Sequence, residues 1–431
     1  MELALYHAEF GYYARAAQRS GRAGDFFTSV DVGAMFGDLL EVQVAEMAEI
    51  LATIPAEPAG NAENTTQAPA RAAVNVFDLV EAGAGNGRLS ADILRAARRR
   101  HPDIFARTRL HLVEASAAAR GAQPATLGEV AGRLASSKDR LPSSFDGVLI
   151  ANELLDAFPV HQVVMRPGGL REVYVDLAPD SDRDSALKMR LVTREGPLST
   201  PALAEYLRRL DISLEPGWRV EINLRAADWI RDAAQRLRRG FIILIDYGHE
   251  APELYGVTHA GGTLTTFVRH TMAGAESAPA APWLMTPGEQ DITAHVDFTT
   301  VRCAAEAEGL ATLGFLDQTY FLMGLLDLHS LGSQGAQGSQ GAQGSRSSQG
   351  SLGSQGSQGS QGSRGSRSNP ENPMHLENLV NPVNLENLQT RLALKTLLIP
   401  GGLGSTLKVL LLGKGVGTPA LRGCSYRMRV T

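Results

Sequence analysis

Cysteine is almost absent. Only Cys303 and Cys424 occur in 431 residues. They lie too far apart to match a zinc or redox spacing, which suits a reducing compartment and speaks against a disulfide framework. An excess of one charge sign is missing too. With 41 basic and 46 acidic residues the net charge is −5, so the total implies no attraction to nucleic acid or to a membrane surface. No run reaches the ~20 apolar residues of a membrane span; segments such as FIILI from Phe241 and LKVLLL from Leu407 have the length of core strands. The opening MELALYH has neither a signal-peptide pattern nor an Arg/Ser-rich transit pattern. The expected location is cytoplasmic.

What is present centres on Val74 to Arg88, VNVFDLVEAGAGNGR. An apolar run, Val74 to Val80, ends on Glu81 and breaks into Gly83-Ala84-Gly85-Asn86-Gly87, and a helix with a basic outer face follows. Strand, glycine turn and helix form the ligand cradle of a doubly wound α/β sheet, because glycines let a ligand approach backbone and the helix N-terminus favours negative charge. The spacing is G-x-G-x-G. Arg88 stands where a dinucleotide fingerprint needs its last glycine, and a P-loop's Lys-Ser/Thr is missing.

Further strands end in polar groups that would face the same crevice. Arg109 to Glu114 reads as a second strand whose terminal acid, Glu114, would reach the ribose hydroxyls of an adenosine-type ligand. Phe145 to Ala151 runs into Asn152, Glu153, Asp156 and His161, a polar set that is expensive to bury without work to do; the plainer alternative is helix capping by Asn152 with solvated acids behind it. Phe241 to Asp246 is the most hydrophobic strand and reads as parallel and buried on both faces. The helix before it is expected to end at Arg238-Arg239-Gly240, with glycine as its C-cap. Asp246, His249, Asp291 and His295 could be drawn as a metal set, but their spacing fits no closed pattern; hydrogen-bonded loop residues and no metal are the expectation. Leu331 to Ser368, a Gly-Ser-Gln repeat, has almost nothing to bury and reads as a disordered tether.

Several motifs then agree: LALYHAEFGYY (Leu3 to Tyr13), GRAGDFFTS (Gly21 to Ser29), EAGAGNGRLSADIL (Glu81 to Leu94), LVEAS (Leu112 to Ser116), ANELLDAFPVHQ (Ala151 to Gln162), IDYGHE (Ile245 to Glu250), PGEQDITAHVDF (Pro287 to Phe298) and LKVLLLGKGV (Leu407 to Val416). Together they resemble the family of S-adenosylmethionine (SAM)-dependent protein arginine methyltransferases that assist mitochondrial complex I assembly, with its bacterial homologues. Two departures are Ala8, where the family has proline after His7, and the Gly-Ser-Gln tether, which is foreign to the pattern.

The resemblance implies a class I methyltransferase fold: a Rossmann-like, doubly wound, mostly parallel sheet with an N-terminal helical and loop extension and an antiparallel strand insertion. The expected organisation is an N-terminal lid (1–50), a flexible insertion (51–73), a methyltransferase core (74–330) with inserted strands near 162–200, the tether (331–368) and a C-terminal segment completing the core (369–431). Gly83, Gly85 and Gly87 would receive the methionine part of SAM, Glu114 the ribose, and Asp25 and Thr28 would close over them; Glu81 and Asn152 complete the cofactor set. Glu153 and Asp156 would grip an acceptor guanidinium, with His161 or His249 as proton acceptor. The implied partner is a protein carrying the acceptor arginine, a complex I subunit in the mitochondrial case, with neither nucleic acid nor membrane; the oligomeric state stays open, a homodimer included. The competing readings are a catalytically silent SAM-binding or partner-binding assembly scaffold and a metal-dependent hydrolase.

Overall fold

The residues Phe241 to Ile245 are each at most 1 % exposed, as a strand covered on both faces must be. They belong to the third strand of a seven-membered path through the main sheet. In chain order its strands are β1 (Phe77–Ala82), β2 (Thr108–Val113), β3 (Leu134–Lys138), β4 (Phe145–Asn152), β5 (Leu237–His249), β6 (Ala311–Asp317) and β7 (Leu407–Lys414), arranged β6-β7-β5-β4-β1-β2-β3. The computed structural model describes residues 1–14, 28–54, 76–178, 190–268, 271–274, 281–326, 388–398 and 406–426. The described residues up to 326 and from 393 onward form one compact unit. The tether, and the insertion from residue 55 onward, lie outside the described residues.

Strands β3, β2, β1, β4 and β5 are parallel. β7 enters antiparallel between β5 and β6, and its Val409 to Leu412 are fully buried, so the C-terminal segment supplies part of the core. The chain winds outward from β1 through β2 to β3, then returns to place β4 on β1's other side. That reversal opens a crevice at the carboxyl ends of β1 and β4, where ligands of such sheets bind. A separate antiparallel sheet holds Leu191–Gly196, Gly169–Leu177, His161–Arg166 and Arg219–Ile222 in that order. A third contains Thr271–Gly274, Thr265–Val268 and Asp291–Thr293.

The first fifty residues divide in two. The helix Ala34–Thr53 is a core layer, with Phe36, Leu40 and Met47 fully buried. It approaches the helix Arg88–Arg100 closely at Gly37, where an added Cβ would lie 2.6 Å from Asp92 Cβ. Only the segment before this helix borders the crevice.

Gly240 is not a helix cap. The helix Leu224–Arg236 stops earlier, and Gly240 lies inside β5. It is one rung of a ladder across three strands, Asp78 beside Gly147 beside Gly240. Gly147 and Gly240 have φ of +154° and +143°, and a Cβ on either would fall 1.9 Å from a neighbouring carbonyl oxygen. The glycines permit an approach that no side chain allows. Gly147→Ala is therefore expected to lower stability by at least about 2 kcal/mol, read as a fall in urea midpoint at constant slope. An unchanged midpoint would show that the strands can part at no cost.

Candidate active site

The glycine turn is built by conformation as much as by space. Gly83, Gly85 and Gly87 have φ of +70°, +50° and +83°, a region costing other residues about 1–2 kcal/mol. An added Cβ at Gly83 or Gly87 would press on Leu154 or Leu112 at 3.1 Å, whereas at Gly85 it would meet nothing within 4 Å. Gly85 therefore faces open cavity. Its N–H donates to Glu114 Oε2 (2.8 Å) and its carbonyl accepts from Gln123 Nε2 (2.9 Å), while Glu114 Oε1 accepts from the Ser116 N–H (2.7 Å). Glu81 accepts from the N–H and hydroxyl of Ser90, fixing the helix start. Burial pushes Glu81 up to about 7.

The cavity over this turn has a volume of about 470 Å³. It is lined by Glu81, the glycine turn, Arg88, Glu114, Asp139, Asn152, Glu153, Phe158, Arg225 and Trp229, with Tyr6, Tyr13, Thr28 and Val30 from the N-terminal segment. That segment is tied down at several points. Tyr6 donates to the Ala157 carbonyl (3.0 Å), Tyr13 to Asp291 Oδ1 (2.9 Å), and Glu2 pairs with Arg225 (2.6 Å). Thr28 and Asp31 form a capping box on the short turn Ser29–Val32, and Asp31 pairs with Arg88 at 3.4 Å. The arginine that breaks the dinucleotide spacing thus joins the cradle helix to the N-terminal segment.

Glu153 occupies the most unusual position. Its φ is +51°, a left-handed backbone on a residue that is not glycine, and such outliers cluster at functional sites. Its N–H donates to the Ile245 carbonyl (2.8 Å), and its carboxylate accepts from Asn152 Nδ2 (3.1 Å), with the Ser29 backbone nearby. Burial first, and the charge of Asp246 second, push it up to about 8. Asn152 Oδ1 is buried without a hydrogen-bond partner among the described residues, a donor-seeking atom on the cavity wall. Behind the wall lie Asp156 and Asp246, 6 % and 2 % exposed. Asp246 accepts from the N–H groups of Leu154 (3.1 Å), Leu155 (2.7 Å) and Tyr247 (2.8 Å). With Asp246 so served, burial and the charges of Asp246 and Asp291 hold Asp156 well above its usual range.

The structure thus gathers Thr28, Glu81, Gly83, Gly85, Glu114, Asn152 and Glu153 on one cavity wall; Gly87 caps the helix that follows the turn, and Asp156 stands behind the wall. Asp25 lies outside the described residues. His161 is not brought in. It sits in the four-stranded sheet with Nδ1 2.8 Å from Glu172 Oε1 and does not line the cavity. His249 does not line it either. Sequence reasoning missed Tyr6, Tyr13, Asp139, Phe158, Arg225 and Trp229 as lining groups. Tyr6, Tyr13 and Phe158 lie inside motifs quoted for the family resemblance, but none was tied to the cavity.

Comparison with known proteins agrees with this geometry. A family model for S-adenosyl-L-methionine-dependent methyltransferases matches residues 62–316. The chain is 30 % identical to mouse protein arginine methyltransferase NDUFAF7, mitochondrial, across 75 % of this chain and 69 % of that one, and 29 % identical to its human counterpart across 75 % and 68 %. A Burkholderia thailandensis protein solved with bound S-adenosyl-homocysteine superposes with a TM-score of 0.70 at 25 % identity, over 100 % of this chain and 90 % of that one.

Two outcomes are expected. Gly85→Val fills open cavity, so it should weaken S-adenosylhomocysteine binding at least about tenfold, or ~1.4 kcal/mol, in calorimetric titration while unfolding stays cooperative; unchanged affinity would place the ligand elsewhere. Glu153 takes up its proton more readily folded than unfolded, so it costs stability as pH rises from its ordinary value of 4.5 to about 8. Glu153→Gln should therefore raise the melting temperature progressively across that window. A constant difference at every pH would contradict the assignment.

Proposed function

The chain belongs to the S-adenosyl-L-methionine-dependent methyltransferases, and from that premise we propose that it transfers the methyl group to an arginine of a protein acceptor, within or alongside the assembly of respiratory complex I. The observation that carries this reading is Glu153, a strained and desolvated carboxylate on the wall of the cofactor cavity. The relatives named as protein arginine methyltransferases support the same acceptor.

The residues present suit the cofactor. Gly85 offers backbone to open cavity, Glu114 and Asp139 face it from the ends of β2 and β3, and the unpartnered Asn152 Oδ1 can accept from an ammonium group. S-adenosyl-L-methionine, when bound, supplies an electrophilic methyl on a sulfonium, which leaves the protein chiefly the task of alignment. The chain must also make a guanidinium nucleophilic, since its lone pairs are delocalised. An ionised Glu153 accepts N–H bonds from two guanidinium nitrogens and concentrates density on the third. The Asn152 amide holds that carboxylate in place. Tyr6, Tyr13, Phe158 and Trp229 add aromatic surface to the cavity lining. A silent scaffold gains nothing from a raised, strained carboxylate, which tells against that alternative.

The test is methyl transfer to arginine-containing protein fragments, with lysine replacing the acceptor as control. Because Glu153 must be ionised, kcat/KM should rise with pH through about 8. Glu153→Gln should lose most of the rate, on the order of a hundredfold, together with the rising limb. Transfer to the lysine control, or an unaltered limb in the variant, would refute the arginine reading or the role of Glu153 respectively.

A further inference from the structure

Three imidazoles converge away from the cavity. His249 is the last residue of β5, His259 ends the short turn Val257–His259, and His295 precedes the two residues Val296–Asp297 that pair alongside Gly248 and His249. Their ring centroids lie 4.7 Å (His249–His259), 5.3 Å (His249–His295) and 5.8 Å (His259–His295) apart. One ring nitrogen from each lies within 4.8 Å of those of the other two, and all three side chains are half-buried. None lines the cofactor cavity.

The hydrogen bonding around them is lopsided. His259 Nδ1 lies 3.0 Å from the Glu253 carbonyl, so it carries the proton and leaves Nε2 with a free lone pair. His249 Nδ1 stands 2.9 Å from Glu253 Oε1 without alignment for a hydrogen bond, and His295 Nδ1 is buried; neither nitrogen has a hydrogen-bond partner among the described residues. Buried orphan nitrogens are costly. Histidines crowded together for packing alone would turn their polar edges outward, whereas these present them to one another.

We propose that His249, His259 and His295 form a binding site for a divalent transition metal of the zinc class. Neutral imidazole is the donor such ions favour. Zinc bonds of about 2.0–2.1 Å in a tetrahedron set ligand nitrogens about 3.4 Å apart, so closing the cluster needs a shift of under about 1 Å per ring. The Glu253 carbonyl holds His259 as outer partners of metal-bound histidines do. Three protein ligands leave a fourth position for water or an incoming group. The site differs from the set read from sequence spacing: Asp246 and Asp291 are engaged elsewhere, and His259 takes their place.

The test uses full-length protein stripped by a chelator and titrated with zinc alone against a chromogenic competitor, with metal content per chain measured afterwards. One zinc per chain is expected, with a melting temperature that rises on loading. His295→Ala and, on the more accessible turn, His259→Ala should each weaken binding at least a hundredfold and abolish the thermal rise. His101→Ala should bind as the unaltered chain does. S-adenosylhomocysteine titration of each variant checks that the fold survives. Failure of the stripped protein to bind zinc while still binding S-adenosylhomocysteine would overturn the proposal, as would undiminished binding by His259→Ala.

Discussion

Three backbone N–H groups converge on the buried carboxylate of Asp246, and the rest of the site depends on that grip. The donors come from Leu154 and Leu155 in the loop after β4 and from Tyr247 in β5 itself. One side chain therefore fastens two neighbouring strand ends to each other. Burial lifts Asp246 to about 7, and its backbone donors hold it below where burial alone would set it. Asp156 and Glu153 are raised by burial first, with the charge of Asp246 adding to each. The loop so pinned also forces Glu153 into a left-handed backbone. Position, strain and protonation of the cavity's key acid thus share one cause.

The second constraint reaches the same residue from the chain's beginning. The turn Ser29–Val32 is held by its own capping box and by Arg88 on the cradle helix, and its Ser29 backbone lies near Glu153. A displacement of this turn would disturb Glu153 and Arg88 together. The 20-residue helix behind the turn is a core element, which gives that arrangement a fixed root.

Much of this was legible in the sequence where the signal is local. The glycine turn announces itself because three positive-φ positions in five residues can hardly be filled otherwise, and acids at strand ends follow from the topology of parallel sheets. What escaped depends on distance along the chain. Tyr6 and Tyr13 reach their partners across 151 and 278 residues, and no periodicity encodes such contacts. Gly240 was misread because a basic run followed by glycine is the local signature of a helix end, while its true reason is the carbonyl of Gly147 on a neighbouring strand. The histidine cluster was half seen. His249 and His295 attracted notice as polar loop residues, but their companion His259 comes from a third segment that only the fold brings near.

The acidic character of the cavity also fits both reactants of the proposed reaction better than either alone. A sulfonium donor and a guanidinium acceptor are both cations, and bringing two cations into one desolvated space is unfavourable unless the walls carry the opposite charge. Glu81, Glu114, Asp139 and Glu153 line that space against Arg88 and Arg225, and Arg88 is already matched by Asp31 and Arg225 by Glu2. Left to themselves, Glu81 and Glu153 hold protons up to about pH 7 and 8. Each cation that enters favours their ionised form, so the first reactant prepares the wall for the second. The cost of crowding acids around empty cavity is then the condition for binding two positive ligands side by side, and Asp246's unbroken set of backbone donors keeps that crowd in place.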